Sequence, residues 1–373
     1  MKKCYSLTGT NVPELHFSLV PDSDGDFNEQ LHDLFSQMQQ LFQEYKLQKR
    51  QLAFSKVFLS DYLNEEPILR KHPLFTEQLD NCIMSIIEQP PLDGTKINLL
   101  LYFLESENIA IQKKGDYFTL GIDGRKFIYQ HISDFESKSP YAQTEEAFTR
   151  HCRLLETEGL NLRDHCIRTW IYSRDIDKNY GEIVKARNSI FSLHGLTNDT
   201  HFIASTGIEG KGKIPSSAVN IDFLSVTDIS PEKIRYLHAP EYLNPTHEYG
   251  VAFERATEVD YGDKKHIFIS GTASIDKEGD CIFRNDVIKQ TERLFLNIHQ
   301  LLKDGEAEGK NIAQMIVYLR NLTDYHLVKD FLDKHFPETP QVIVLARVCR
   351  PEWLIEVECI ASLSTKREEK SEN

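Results

Sequence analysis

The chain has 373 residues, with 43 Lys+Arg against 57 Asp+Glu, which gives a formal net charge of −14. Its length predicts two to three domains at about 150 residues each, and a 40% hydrophobic content with 21 Phe and 15 Tyr excludes a mostly disordered chain. The acidic excess disfavours nucleic acid and anionic membranes as partners, yet allows a small anionic substrate held by a few arginines.

In chain order, His16 to Val20 reads as a strand and Asp22 to Asp26 as a turn. A helix follows through Leu31, Leu34, Phe35, Met38 and Leu41-Phe42. Ala53 to Asp61 is a strand, Ile68 to Phe75 a helix, and Lys96 to Tyr102 a strand. The order then recurs: a helix over Thr144 to Glu158, a strand over Ile167 to Arg174, a helix over Tyr180 to Phe191 and a strand over Ala218 to Val226. It recurs again from His266 to Ile275 (strand) and Asp276 to Asp280 (turn). A helix from Asp286 carries Val287, Leu294, Ile298, Leu301 and Leu302, with Asp286 as N-cap. Ile312 to Leu319 is a strand, Tyr325 to His335 a helix, and Gln341 to Val348 and Trp353 to Ala361 close the unit. Val57-Phe-Leu-Ser-Asp61, Trp170-Ile-Tyr-Ser-Arg-Asp175 and Val317-Tyr-Leu-Arg-Asn321 each follow the long helix of their unit.

The sequence therefore predicts an α/β (α+β) chain of three like modules, at 1–110, 111–230 and 245–363. Thr227 to Tyr249, with Pro231, Pro240 and Pro245, reads as a connector, and 364–373 as a disordered polar tail. The N-terminus lacks the apolar stretch of a signal peptide, and no run approaches the roughly 18 apolar residues of a membrane span. The expected location is the cytoplasm, with no membrane partner. Cys4, Cys82, Cys152, Cys166, Cys281, Cys349 and Cys359 are scattered without a C-x-x-C pair, so neither a disulfide framework nor a zinc site is expected. The 14 histidines show no H-x-x-x-H spacing, and there is no Walker A or G-x-G-x-x-G. No metal or cofactor is expected.

The third module, through Ile269-Ser-Gly-Thr-Ala-Ser-Ile275, Asn297, Val317-Tyr-Leu, Arg347 and Ile355-Glu-Val-Glu-Cys-Ile-Ala361, resembles the Rid/YjgF family of imine deaminases. That resemblance implies three Rid/YjgF-like (chorismate-mutase-like) modules folded as a monomeric pseudo-trimer, with ligand clefts between modules. A narrower resemblance spans most of 160–362. Arg168-Thr-Trp-Ile-Tyr172, Tyr180 with Ala186-Arg187, Ala204-Ser-Thr-Gly-Ile208, Phe253-Glu-Arg-Ala256, Ser270-Gly-Thr-Ala-Ser274 and Val348-Cys-Arg-Pro-Glu-Trp-Leu-Ile-Glu356 are together similar to the chorismatase family. Ile171 departs from the usual Trp-Asn-Tyr-like run. The resemblance implies a lyase or hydrolase that cleaves chorismate to pyruvate and 3-hydroxybenzoate, a dihydrodiol acid or another hydroxybenzoate.

Cleaving an enol ether needs an acid that protonates its terminal carbon, and a desolvated carboxyl serves. The resemblance assigns that role to Glu356, whereas an alternating strand glutamate is otherwise usually solvated; Glu358 reads as structural. Two substrate carboxylates call for guanidinium forks. Arg255, Arg347 and Arg187 stand in the matched motifs, with Tyr172 as a further donor and Arg350 in reserve. Gly271, Thr272 and Ala273 either let ligand approach the backbone or form only a bulge. Cys349 sits where the resemblance separates 3-hydroxybenzoate formers from dihydrodiol formers; its alternative is a small buried hydrophobe. Two other readings stay open: an enamine or imine deaminase anchoring one carboxylate on Arg347, and a metabolite-binding scaffold. Asn98 and Asn220 occupy the place of Glu356 in the other modules, so one cleft, between the second and third modules, is the expected site.

Overall fold

The computed structural model describes residues 2–365. Ser364 ends the last strand and Thr365 bonds back to Gly262 and Asp263, so the expected tail is ordered at its start; its remainder, 366–373, lies outside the described residues. The first unit runs β1 (Lys2–Leu7), β2 (Glu14–Leu19), α1 (Phe27–Glu44), β3 (Leu52–Leu59), α2 (Tyr62–Leu69), β4 (Ile83–Glu88) and β5 (Ile97–Leu104). The second runs β6 (Ala110–Lys114), β7 (Tyr117–Ile122), β8 (Arg125–Ile132), α3 (Pro140–Thr157), α4 (Leu162–His165), β9 (Cys166–Ser173), α5 (Ile176–Leu193), β10 (Ala204–Glu209) and β11 (Val219–Val226). The third runs β12 (Ile234–Leu237), β13 (Ala256–Asp260), β14 (Lys264–Thr272), α6 (Val287–Asp304), β15 (Ile312–Leu319), α7 (Tyr325–His335), β16 (Gln341–Leu345) and β17 (Ile355–Ser364).

The sheet orders are β1-β2-β5-β3-β4, β10-β9-β11-β8-β7-β6 and β12-β13-β14-β17-β15-β16. Without the added edge strands β6 and β12 they are one topology. In each, a strand leaves the sheet centre, crosses over through a helix and returns parallel, as β3/β4, β9/β10 and β15/β16. Register makes the equivalence residue-specific: Asn98 pairs with Phe58, Asn220 with Tyr172 and Glu356 with Tyr318. The expectation of three Rid-like modules in an α+β chain is what the fold shows.

Local chemistry explains the helices. Asp26 caps α1 with a reciprocal Glu29 bond, and Leu31, Leu34, Met38 and Leu41 are buried along one face. Asp286 caps α6 by accepting from the Lys289 amide, above buried Val287, Leu294, Ile298, Leu301 and Leu302. The helix expected near Ile68 begins earlier, because the Asp61 side chain accepts from the Asn64 amide and starts α2 there; a separate π-type turn covers Leu74–Leu79. The proline-bearing connector also holds structure, since β12 pairs with β13 and extends the third sheet. Among the described residues no helix is long and apolar enough to cross a membrane.

Polar clamps join the modules. Between the second and first, Ser85 donates to Asp222 at 2.7 Å and Lys211 pairs with Glu88 at 2.6 Å. Between the first and third, fully buried Glu14 pairs with Lys264 and with His266 at 2.9 Å, and accepts from Ser362 at 2.9 Å. Burial alone would raise the Glu14 carboxyl, but His266, His16 and Lys264 outweigh it and hold the group well below its ordinary value. Glu14→Gln strands buried Lys264 without its counter-charge, so the expected loss of stability is about 3–5 kcal/mol. Urea unfolding measures it, and an unchanged midpoint would exclude this clamp as an anchor of the first module.

Candidate active site

The second and third modules meet edge to edge. Ala204 forms an isolated parallel bridge with Glu254 and Ile208 an antiparallel one with Val348, so β10 lies along the third sheet beside β14. Side chains fasten this seam. The Ser205 amide donates to Ser270 Oγ at 2.8 Å, the Gly271 amide to Thr206 Oγ1 at 3.0 Å, and Ser270 Oγ to the Glu254 carbonyl at 2.6 Å. Arg168, from β9, donates to Ser270 at 3.3 Å, Thr206 at 2.5 Å and Glu358 at 2.9 Å, while Trp170 Nε1 donates to the other Glu358 oxygen at 2.7 Å. Glu358 is thus the anchor of a buried network between the modules.

Above the seam lies a cleft, lined from the second module by Tyr180, Arg187, Ser205 and Gly207. Arg255, Gly271, Cys349, Arg350, Trp353 and Glu356 line it from the third. Here β17 turns both carboxylates to one sheet face, so Glu358 meets Arg168 while Glu356, two residues nearer the strand start, faces the cleft. Glu356 is only 4% exposed. Desolvation and the neighbouring Glu358 charge push its carboxyl up to about 8, against the opposing pull of Arg168 and Arg255. Near neutral pH it is mostly a neutral acid.

A register shift between Ile269 and Thr272 places Gly271 under this acid. A Cβ there would come within 2.0 Å of Glu356 Oε1, so the glycine leaves the space the carboxyl fills. Gly207 likewise makes room for Tyr180, whose ring atom Cε2 would be 2.8 Å from an added Cβ. Tyr180 also hydrogen-bonds Cys349. Burial, then Glu356, raise the Cys349 thiol to about 12, so sulfur enters the cleft protonated and not as a nucleophilic thiolate.

Arg255 is buried and held by the Asn244 carbonyl at 3.0 Å. Arg350 stacks over Trp353 with its guanidinium 4.8 Å from the ring centroid. Arg187, Arg255, Arg350, Cys349, Glu356, Gly271 and Ala273 therefore come together. Three expected residues do not. Tyr172 is fully buried behind the seam, its hydroxyl bonded to Lys56. Arg347 is 50% exposed and faces Asp175, Asp177 and Glu209 at 3.7–3.9 Å. Thr272 turns its hydroxyl back to the Ser270 carbonyl at 2.9 Å. Trp353, Phe253 and Val251 complete the wall; as apolar residues in loops they carry no chemical signature in the sequence.

The family described as endoribonuclease L-PSP matches residues 254–363, the third module. A RutC family protein of Pyrococcus abyssi is 32% identical over 97 residues, covering 26% of this chain and 76% of that protein. The chain belongs to this family, Rid/YjgF. Another relative, Reactive Intermediate Deaminase A, chloroplastic, of Arabidopsis thaliana, is 29% identical over 103 residues, 26% of this chain and 53% of that protein. The first two modules of this Rid-family chain lie outside the residues that the family matches. A solved chorismatase structure superposes on the whole chain with a TM-score of 0.65 at 16% identity, covering 97% of this chain and 98% of that one. The three-module architecture is therefore the chorismatase fold.

Proposed function

We propose that the chain is a chorismatase that converts chorismate to pyruvate and 3-hydroxybenzoate in the cleft between the second and third modules. The observation that carries the reading is Glu356, a buried carboxyl raised to about 8 in a cleft lined by arginines. Arg255, Arg187 and Arg350 supply forks for the two substrate carboxylates. Glu356 gives its proton to the terminal carbon of the enolpyruvyl group, and the resulting oxocarbenium turns the ether oxygen into a leaving group. The adjacent ring hydroxyl oxygen attacks the carbon that bears the ether as its own proton passes to the Glu356 carboxylate; the carbon–oxygen bond to the ether breaks, and pyruvate departs with the ether oxygen as its ketone. The epoxide left on the ring takes that proton back on its oxygen as it opens, and loss of a ring proton to Glu356, which restores the acid, gives the phenol. Chorismate thus divides into two products with no water consumed.

The neutral Cys349 thiol fills the cleft beside the acid and keeps water from capturing the ring. Cys349→Ala is expected to admit water and yield a dihydrodiol acid alongside the phenol. Chromatography of the ring products formed in oxygen-labelled water checks this, since of the two ring products only the dihydrodiol acid gains label. A product mixture unchanged from that of the native chain would exclude the role.

The direct test is release of pyruvate from chorismate by the native protein, read with lactate dehydrogenase. No pyruvate would overturn the reading. The Rid matches favour the alternative of an enamine or imine deaminase, but Arg347, the anchor expected for it, pairs with acids outside the cleft. Faster ammonia release from a freshly generated imine, with chorismate untouched, would support the deaminase instead.

A further inference from the structure

All three sheets also face a second space, a central cavity that Arg168 and Glu358 line and Glu356 does not. Its walls are mainly apolar, with Phe54, Phe127, Leu224, Met315 and Ile360 among them. Phe54, Phe127, Leu224 and Ile360 remain only half-buried although each lies within a strand at the centre of the molecule. Polar side chains also reach it, among them Glu14, Arg125, Lys264 and Glu358, and two of the polar groups stand out. The Tyr261 hydroxyl is buried and has no hydrogen-bond partner among the described residues. Lys56 is 4% exposed, with its amine bonded to the Tyr172 hydroxyl and lying 4.9 Å from the Trp170 ring centroid. Among the described residues no carboxylate pairs with that amine; Asp222 acts on it from a distance and is itself held by His131 and Ser85.

A buried ammonium beside empty apolar space is stabilised by an anion that brings its own apolar body. We propose that this cavity is a second ligand site, which takes a small amphipathic monocarboxylate with its charged end at Lys56 and its apolar end along the walls. The lysine and arginine side chains that line it besides Lys56 are already matched, Arg168 by Glu358, Lys264 by Glu14 and Arg125 by Asp263, so one negative charge is what the site can accept. Desolvation lowers the Lys56 pKa, and a bound carboxylate would restore the ammonium. This site is independent of the chemistry assigned to the cleft.

The chain contains 2 tryptophans, Trp170 on the cavity wall and Trp353 on the cleft wall. In Trp353→Phe, titration with octanoate is expected to change Trp170 fluorescence saturably, and in Trp170→Phe to leave Trp353 emission unchanged. Adding Lys56→Met, which replaces a buried charge by an apolar chain of similar length, should weaken octanoate by about ten- to a hundredfold. Ile316→Phe, which narrows the cavity and keeps the amine, should weaken it as well. A silent Trp170, or a response unchanged by both substitutions, overturns the proposal, and so does a response confined to Trp353. The native chain should also melt at higher temperature in octanoate.

Discussion

On the proposed chorismatase reaction, replacing Glu356 by Gln is expected to lower pyruvate release from chorismate by about two to four orders of magnitude, the usual range for a positioned general acid. Gln keeps the shape over Gly271 but has no acidic proton to give to carbon, so kcat falls while KM changes little. The native enzyme carries a second signature. Because only the neutral carboxyl donates, kcat/KM holds below the raised value of about 8 and falls as pH rises through it. Glu358→Gln removes a repelling charge and frees the opposing Arg168, so the alkaline limb moves to lower pH. A purely structural Glu358 would change stability and leave that limb in place. Stability follows the same group. The folded chain keeps a proton on Glu356 that the unfolded chain loses above its ordinary value of 4.5, so folding weakens as pH rises from there to about 8. Glu356→Gln lacks that dependence and should be the more stable protein at the alkaline end. Rate profiles and thermal melts across this window measure both effects.

The repeat was legible because it lies in the buried parts. The strands β3, β5, β9, β11, β15 and β17 are rich in apolar residues and enclosed on both faces, and α1, α3 and α6 carry apolar stripes. What escaped were β4, β7, β8, β10 and β13, for which no strand was expected, and the periphery. β1 (KKCYSL) and β6 (AIQKK) are edge strands with charged, exposed side chains, and β12 is four residues among prolines. In the site, residues on short motifs beside the seam came together, but Tyr172 and Arg347 were drawn away by partners distant in sequence. Lys56 lies 116 positions from Tyr172, and Asp175 belongs to another module than Arg347. Glu358 shows the same limit, since its partner Arg168 is 190 positions away. A single strand reveals that two carboxylates share a face; only the fold separates them into one paired anion and one neutral acid.

Gly271→Ala should therefore cost nearly as much activity as losing the acid itself, about a hundredfold or more in kcat, since displacements near 1 Å carry penalties of that size. The argument is steric. The new Cβ would fall 2.0 Å from Glu356 Oε1, 2.8 Å from its carboxyl carbon and 3.1 Å from Thr206 Cγ2, so the carboxyl must swing out of its place. Strand pairing on either side fixes the backbone, and Thr206 is itself tied to Arg168 and to the Gly271 amide, which leaves the carboxyl as the part that moves. A carboxyl pushed toward the cleft gains water and moves away from Glu358, so its pKa falls toward the ordinary value. Residual activity in Gly271→Ala should accordingly lose its alkaline limb at lower pH than the native enzyme, a readout that simple loss of folded protein does not produce. Gly271→Ala with native kcat and a native pH profile would mean that the acid works from another position, and the assignment of Glu356 would then fail on geometry.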